Sequence, residues 1–101
     1  MMNVKSIILL ALISSLPAVS YAGDAAAGKE KAAACAACHG AEGVSAMEIW
    51  PNLAGQKSGY LVKQMKAFRD GARKDPMMSP MASALTDEDI DNLAAYYSGL
   101  K

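Results

Sequence analysis

Two cysteines and a histidine form the segment of this 101-residue chain with the most chemistry: Cys35, Cys38 and His39. On a helical turn, residues three and four apart lie on the same side, so both thiols and the imidazole would share one face. Two thiols can add to the vinyl groups of a haem while an imidazole binds its iron, and Cys-x-x-Cys-His is the c-type attachment signature. We therefore expect one covalently bound haem c, with His39 as an axial iron ligand.

A pair of cysteines at this spacing also occurs in three other kinds of site. Thiol oxidoreductases use it in a strand-helix-strand setting, and this sequence has no alternating strand pattern. A zinc site needs four ligands, whereas His39 is the only histidine and no second cysteine pair exists. A structural disulfide between Cys35 and Cys38 is the simplest alternative, because an exposed cysteine pair is oxidised in the compartment that an exported chain reaches.

The second axial ligand must come from another side chain, since no second imidazole is present. Met65 falls on the apolar face of a predicted helix and is expected in the core. Met47 lies in the first loop, close to the His39 side of the haem, which argues against it as the second ligand. Three methionines in a later loop can reach the opposite face of the haem, so one of them is expected to be the ligand: Met77, Met78 and Met81. Ligation by His and Met raises the reduction potential, which is typical of an electron carrier.

The first 22 residues have the order of a secretory signal peptide. Lys5 precedes an apolar run at residues 7–13, and small residues stand before a predicted cleavage at Gly23. The apolar run is too short to span a bilayer. We therefore predict an exported, soluble protein of the periplasm without stable membrane insertion after cleavage, consisting of one monohaem domain at residues 23–101.

The predicted domain is short of large apolar side chains. Its 79 residues include 21 apolar residues larger than Ala, and two of these are Cys35 and Cys38. A domain of this size is marginally stable and needs a staple, so we expect a core built partly of haem. Nine basic residues stand against ten acidic ones in the domain, which disfavours binding to nucleic acid. The length excludes a multidomain enzyme.

The pattern of apolar residues and helix signals predicts an all-α domain of three to five helices, with two long loops wrapped around the haem. After a lead-in at residues 23–28, the predicted order is helix 29–38, loop 40–57, helix 58–70, loop 73–85 and a last helix. Asp24 in the lead-in is a plausible helix cap, and Ser58 and Thr86 are the expected caps of the second and last helices. Asp89 completes a capping box, and Gly71 ends the second helix.

These residues together resemble a class I cytochrome c, most closely one lobe of cytochrome c4 or the related c5 and c553 types. The resemblance extends over residues 23–101 and is carried by four segments in the same order and spacing: Gly23–Gly28, Cys35–Gly40, Pro51–Gln56 and Leu93–Tyr97. It implies the fold and a role for several further residues.

In this family the proline twelve residues after the haem histidine offers its carbonyl to the imidazole, which implies that role for Pro51. The family's methionine ligand stands eight residues before the cap of the last helix, which selects Met78. Gly28 would permit a close crossing of the first and last helices near Tyr96 or Tyr97. Further residues of the haem pocket are implied to be Trp50, Leu53, Tyr60 and Met81, and Arg73 could approach the haem propionates.

The resemblance implies an electron-transfer protein that carries one electron between respiratory partners and is not itself an enzyme. The expected donor is of the quinol-cytochrome c reductase type, and the expected acceptor is a terminal oxidase or reductase. The alternative is a haem-bearing subunit or donor module of an oxidase or of a nitrogen or sulfur reductase complex. A single attachment motif, where cytochrome c4 has two lobes, predicts a monomer or a weak dimer.

Overall fold

The structure, a computed structural model, describes residues 23–101, and the predicted signal peptide at residues 1–22 lies outside this range. Five α-helices follow one another here: α1 Ala25–Lys31, α2 Ala36–His39, α3 Ser58–Asp70, α4 Met78–Ala82 and α5 Asp87–Ser98. A 3₁₀ turn at Ala32–Ala34 joins α1 to α2, and residues 23–101 contain no strand, which confirms the all-α prediction. Over the same range, every helix is too short or too polar to cross a membrane.

The first helix differs from the prediction of a single helix at residues 29–38. It begins four residues earlier, because the Asp24 carboxylate accepts hydrogen bonds from the backbone N–H groups of Ala26 at 2.9 Å and Ala27 at 3.3 Å. These bonds satisfy donors that a helix start otherwise leaves free. The chain then forms the 3₁₀ turn at Ala32–Ala34 before α2 begins. The cysteines and the histidine therefore stand at a short turn of their own rather than at the end of a long helix.

Helix α1 crosses α5 at close range, as the sequence predicts. Gly28 is buried, and a Cβ atom at this position would overlap the backbone carbonyl of Asn92 and come within 2.9 Å of the Tyr96 Cβ. The Asn92 side chain accepts a hydrogen bond from the Asp24 backbone N–H at 2.7 Å, so the start of α1 is fastened to the same helix. The absence of a side chain at Gly28 allows the two backbones to meet.

Replacing Gly28 with Ala is expected to lower the free energy of unfolding of the haem-loaded protein by about 1–3 kcal/mol, because the added methyl group must push the two helices apart. Chemical denaturation followed by circular dichroism measures this change. The matched control is Gly59→Ala on α3, where a Cβ would meet nothing within 4 Å and where Ala favours the helix by up to about 1 kcal/mol. A Gly28→Ala protein as stable as the parent would contradict the close crossing.

The ends of α3 and α5 are set by local signals. Thr86 Oγ1 accepts from the Asp89 N–H at 3.0 Å while Asp89 Oδ2 accepts from the Thr86 N–H at 3.0 Å, which confirms the predicted capping box. Gly71 ends α3 with a φ of 87°, as expected. The prediction that Ser58 caps α3 is wrong by one residue: the chain is still extended at Lys57, so Ser58 already lies in the first turn.

The core lies between α5, α3 and the end of the first helical segment. One cluster of buried side chains joins Ala32, Leu61, Leu93, Ala94 and Tyr97. Phe68, Ala82 and Ile90 are also buried. Three of these eight apolar residues are alanines, so the protein core within residues 23–101 is small, and most of the two segments at residues 40–57 and 71–85 lies outside it.

The second predicted loop, at residues 73–85, contains the short helix α4, which the sequence pattern does not predict. Pro80 lies inside this helix, and a proline usually indicates a break. Here it occupies the first turn, where backbone N–H groups have no partner within the helix and a proline costs little. The Asp75 carboxylate starts the turn by accepting hydrogen bonds from the backbone N–H groups of Met77 and Met78.

Candidate functional site

His39 is the last residue of α2 and is almost completely buried, with 6% of its surface exposed. Its Nδ1 lies 2.8 Å from the backbone carbonyl oxygen of Pro51. A carbonyl only accepts, so Nδ1 carries the hydrogen and donates it, and Nε2 keeps its lone pair. In this tautomer the imidazole can bind a metal through Nε2. The structure thus brings together the two residues that the family resemblance paired.

The loop at residues 40–57 holds Pro51 in this position by folding back on itself. The buried Gly43 accepts two backbone hydrogen bonds through its carbonyl, from the N–H of Leu53 at 2.8 Å and of Ala54 at 3.0 Å. The Asn52 side chain also accepts from the Ser45 N–H at 2.7 Å. These bonds tie the residues after Pro51 to the residues that follow His39, so the acceptor carbonyl is fixed by the main chain.

Cys35 and Cys38 lie at the same turn as His39. The carbonyl of Cys35 accepts from the N–H of Cys38 at 3.3 Å and of His39 at 3.0 Å, which closes the turn that presents the three side chains. Both thiols are free and partly buried. Burial raises the pKa of the Cys35 thiol, and the Tyr97 hydroxyl nearby lowers it in part. The disulfide alternative would join these same two sulfurs.

Tyr97 is a site residue that the sequence analysis assigned only to helix packing. Its hydroxyl is buried and has no hydrogen-bond partner of acceptable geometry within the described residues, although it lies close enough to Cys35 for each group to influence the other's pKa. Burial raises the pKa of Tyr97, with the Cys35 thiol adding to this effect. A buried hydroxyl without a partner is rare in a complete protein core. The sequence shows only that Tyr97 belongs to the apolar face of α5.

The described residues leave many of their large apolar side chains exposed, although the domain has few of them. Ile49 is the extreme, with 72% of its surface exposed. The others lie on the loop after His39, at the start of α3 and around α4: Val44, Met47, Tyr60, Met77 and Met81. Large apolar side chains left uncovered on three segments of one small domain indicate that the protein alone does not complete its core. Together with the orphaned Tyr97 hydroxyl beside Cys35 and the metal-binding tautomer of His39, this exposure shows that these residues fit a haem.

Among the three methionines of the second loop, Met78 differs from its neighbours. It begins α4 and is partly buried, and its backbone N–H donates to Asp75 Oδ2 at 2.8 Å. Met77 and Met81 are 55% and 47% exposed. Burial of the side chain distinguishes Met78 from Met77, whose backbone N–H also donates to Asp75 Oδ2. The role of Met78 as the sixth ligand stays a prediction.

The remaining predicted pocket residues differ in burial. Trp50 and Leu53 are partly buried, with Leu53 packed against the core cluster, while Tyr60 and Met81 are exposed. Arg73 has two partners within the protein: its guanidinium lies 4.5 Å from the centre of the Phe68 ring and donates to the Gln64 side chain at 2.7 Å. Arg73 thus covers the end of α3, a contact that the sequence did not indicate.

An all-α domain with a Cys-x-x-Cys-His turn, a histidine oriented by a proline carbonyl and a partly buried methionine on the following loop defines a class I c-type cytochrome. The chain belongs to the cytochrome c family, whose model matches residues 25–101. Membership implies one covalent haem c, attached at Cys35 and Cys38 of the motif that His39 completes.

Two relatives and one solved structure are similar over most of the chain. Cytochrome c-554(548) of Halomonas halodenitrificans is 54% identical over 80 residues, which are 76% of this chain and 96% of that protein. Cytochrome c4 of Pseudomonas aeruginosa is 44% identical over 98 residues, 96% of this chain and 49% of that protein. The crystal structure of reduced recombinant cytochrome c4 from Pseudomonas stutzeri superposes with a TM-score of 0.75 at 42% identity, covering 79% of this chain and 47% of that chain. The chain thus spans about half the length of these cytochromes c4.

Proposed function

We propose that this chain is a periplasmic electron carrier with one haem c, whose iron is ligated by His39 and Met78. The observation that carries the proposal is the hydrogen bond from His39 Nδ1 to the Pro51 carbonyl, at 2.8 Å, on the same turn as both cysteines. This hydrogen bond leaves Nε2 as the metal-binding atom and fixes the orientation of the imidazole ring. Membership of the cytochrome c family supports an electron-transfer haem protein.

The bound haem supplies the one-electron redox chemistry, and the residues of this chain attach, orient and shield it. Cys35 and Cys38 anchor it covalently, and His39 is held in one tautomer and one orientation by Pro51. The thioether of Met78 is a soft ligand that favours the reduced metal and so raises the potential. The buried side chains of α5, with Tyr97 next to Cys35, keep water from the attachment side.

An electron carrier, rather than an enzyme, follows from filling both axial positions with side chains, because a substrate then has no open site on the iron. His39 is the only histidine, so none remains to assist a ligand bound at the other face. The signal-like pattern of residues 1–22 supports export to the periplasm. There the protein would accept electrons from a donor of the quinol-cytochrome c reductase type and pass them to a terminal oxidase or reductase, as a monomer or a weak dimer.

Visible spectroscopy of the purified haem protein tests this proposal. We expect one haem per chain, a reversible one-electron reduction, a low-spin reduced spectrum and the weak far-red band of methionine-ligated ferric haem. We also expect that carbon monoxide does not bind the reduced protein at neutral pH. A colourless protein would refute the haem assignment, and rapid binding of carbon monoxide would show an open site and refute the carrier.

A further inference from the structure

Asp75 makes a compact set of hydrogen bonds around the start of α4. Its Oδ2 accepts from the backbone N–H of Met77 at 2.9 Å and of Met78 at 2.8 Å. Its own backbone N–H donates to Ser79 Oγ at 3.0 Å, and its carbonyl accepts from the Ser79 N–H at 3.1 Å. One carboxylate and one hydroxyl thus fix the backbone on both sides of the Met78 side chain.

Two arginines connect the ends of the segment at residues 73–85 to α3. The backbone N–H of Arg73 donates to the Ala67 carbonyl at 3.0 Å. Arg69 donates to the Leu85 carbonyl at 3.2 Å and to the Asp87 carboxylate at 2.8 Å. These hydrogen bonds hold residues 73 and 85. Between them, α4 packs on α3 and Ala82 is buried. Within the described residues, the side-chain hydrogen bonds that reach the Met78 backbone come from Asp75.

We propose that Asp75 is the positioning residue for the sixth iron ligand, holding the Met78 backbone so that its thioether stays on the iron. This inference rests on the proposed His/Met ligation and adds the residue that holds Met78 in place. A thioether is a weak neutral ligand, and its advantage over a competing ligand depends on being held in place beforehand. Hydrogen bonds to a carboxylate are charge-assisted and are stronger than neutral ones.

Asp24 provides a matched control for a merely structural cap. Its carboxylate also accepts from two backbone N–H groups, those of Ala26 and Ala27, at the start of another helix. That helix packs on α5 and does not carry Met78. Removing either carboxylate should lower thermal stability, whereas only the loss of Asp75 should loosen the ligand.

The experiment measures imidazole binding to the ferric haem protein at neutral pH, because imidazole must displace the methionine. For Asp75→Ala we expect imidazole to bind roughly tenfold more tightly than to the parent, a factor that corresponds to about 1.4 kcal/mol, and the far-red band to weaken. Asp75→Asn should stay within about twofold of the parent, because its amide oxygen can replace Oδ2 as the acceptor. Asp24→Ala should melt at a lower temperature but bind imidazole as the parent does.

Unchanged imidazole affinity in Asp75→Ala, or an equal increase in Asp24→Ala, would overturn the positioning role. If Asp75→Ala yields no haem protein, Ser79→Ala removes only the reciprocal bond and decides in its place: tighter imidazole binding supports the role and unchanged binding overturns it. A parent protein without the far-red band would instead refute the His/Met ligation itself, so the two failures are distinguishable.

Discussion

Met78→Ala is expected to abolish the low-spin His/Met state of the haem completely, whereas Met77→Ala and Met81→Ala retain it. Met78 begins α4, is partly buried and has its backbone held by Asp75. The other two side chains are about half exposed. Loss of the thioether should remove the far-red band, turn the ferric haem high-spin or water-ligated, and lower the reduction potential, because the soft ligand that favours ferrous iron is gone.

Spectra of the three oxidised variants, recorded with a potentiometric titration, measure this difference. Met77→Ala and Met81→Ala are matched controls, since each removes one methionine within three residues of Met78. If Met78→Ala keeps the far-red band while one of the controls loses it, the assignment of the ligand is wrong by one or three residues.

The chain without covalent haem is expected to be largely unfolded at neutral pH and room temperature. Within residues 23–101, eight apolar residues are buried, of which three are alanines, and six large apolar side chains are exposed. A folded domain typically has about 5–15 kcal/mol of stability, a small difference between large opposing terms. Removing the largest apolar body from so small a core should bring that free energy close to zero or below.

The double variant Cys35→Ala/Cys38→Ala, purified without haem, provides the measurement. Far-ultraviolet circular dichroism should show little helix, and heating should give no cooperative transition. Met78→Ala is the control, because it keeps the covalent haem and should remain folded. A compact double variant with a sharp melting transition would contradict this account of the core.

Features determined by neighbouring residues, or by a family motif, could be predicted from the sequence. The Thr86 and Asp89 capping box, the end of α3 at Gly71 and the helical class depend on contacts within a few residues. Gly28 and the pairing of His39 with Pro51 are long-range, yet the family motifs carry their spacing. Asp24 is confirmed as a helix cap, but the predicted helix start at residue 29 is wrong, because the Asp24 hydrogen bonds begin α1 at Ala25.

Other features depend on contacts that no periodicity records. Helix α4 was missed because Pro80 indicates a break unless it falls in a first turn, which the Asp75 hydrogen bonds determine. The stacking of Arg73 on Phe68 joins a loop to a helix end. The position of the Tyr97 hydroxyl beside Cys35 depends on the packing of α5 against the turn that carries Cys35, Cys38 and His39. In each case a tertiary neighbour decides what the side chain does.

The acceptor of the His39 hydrogen bond is a main-chain carbonyl, that of Pro51. Such a carbonyl does not take up or release protons at physiological pH, unlike a carboxylate, which many metal-bound histidines use in its place. Under the proposed ligation, the hydrogen-bond partner of His39 would therefore take up no proton when the charge of the iron changes.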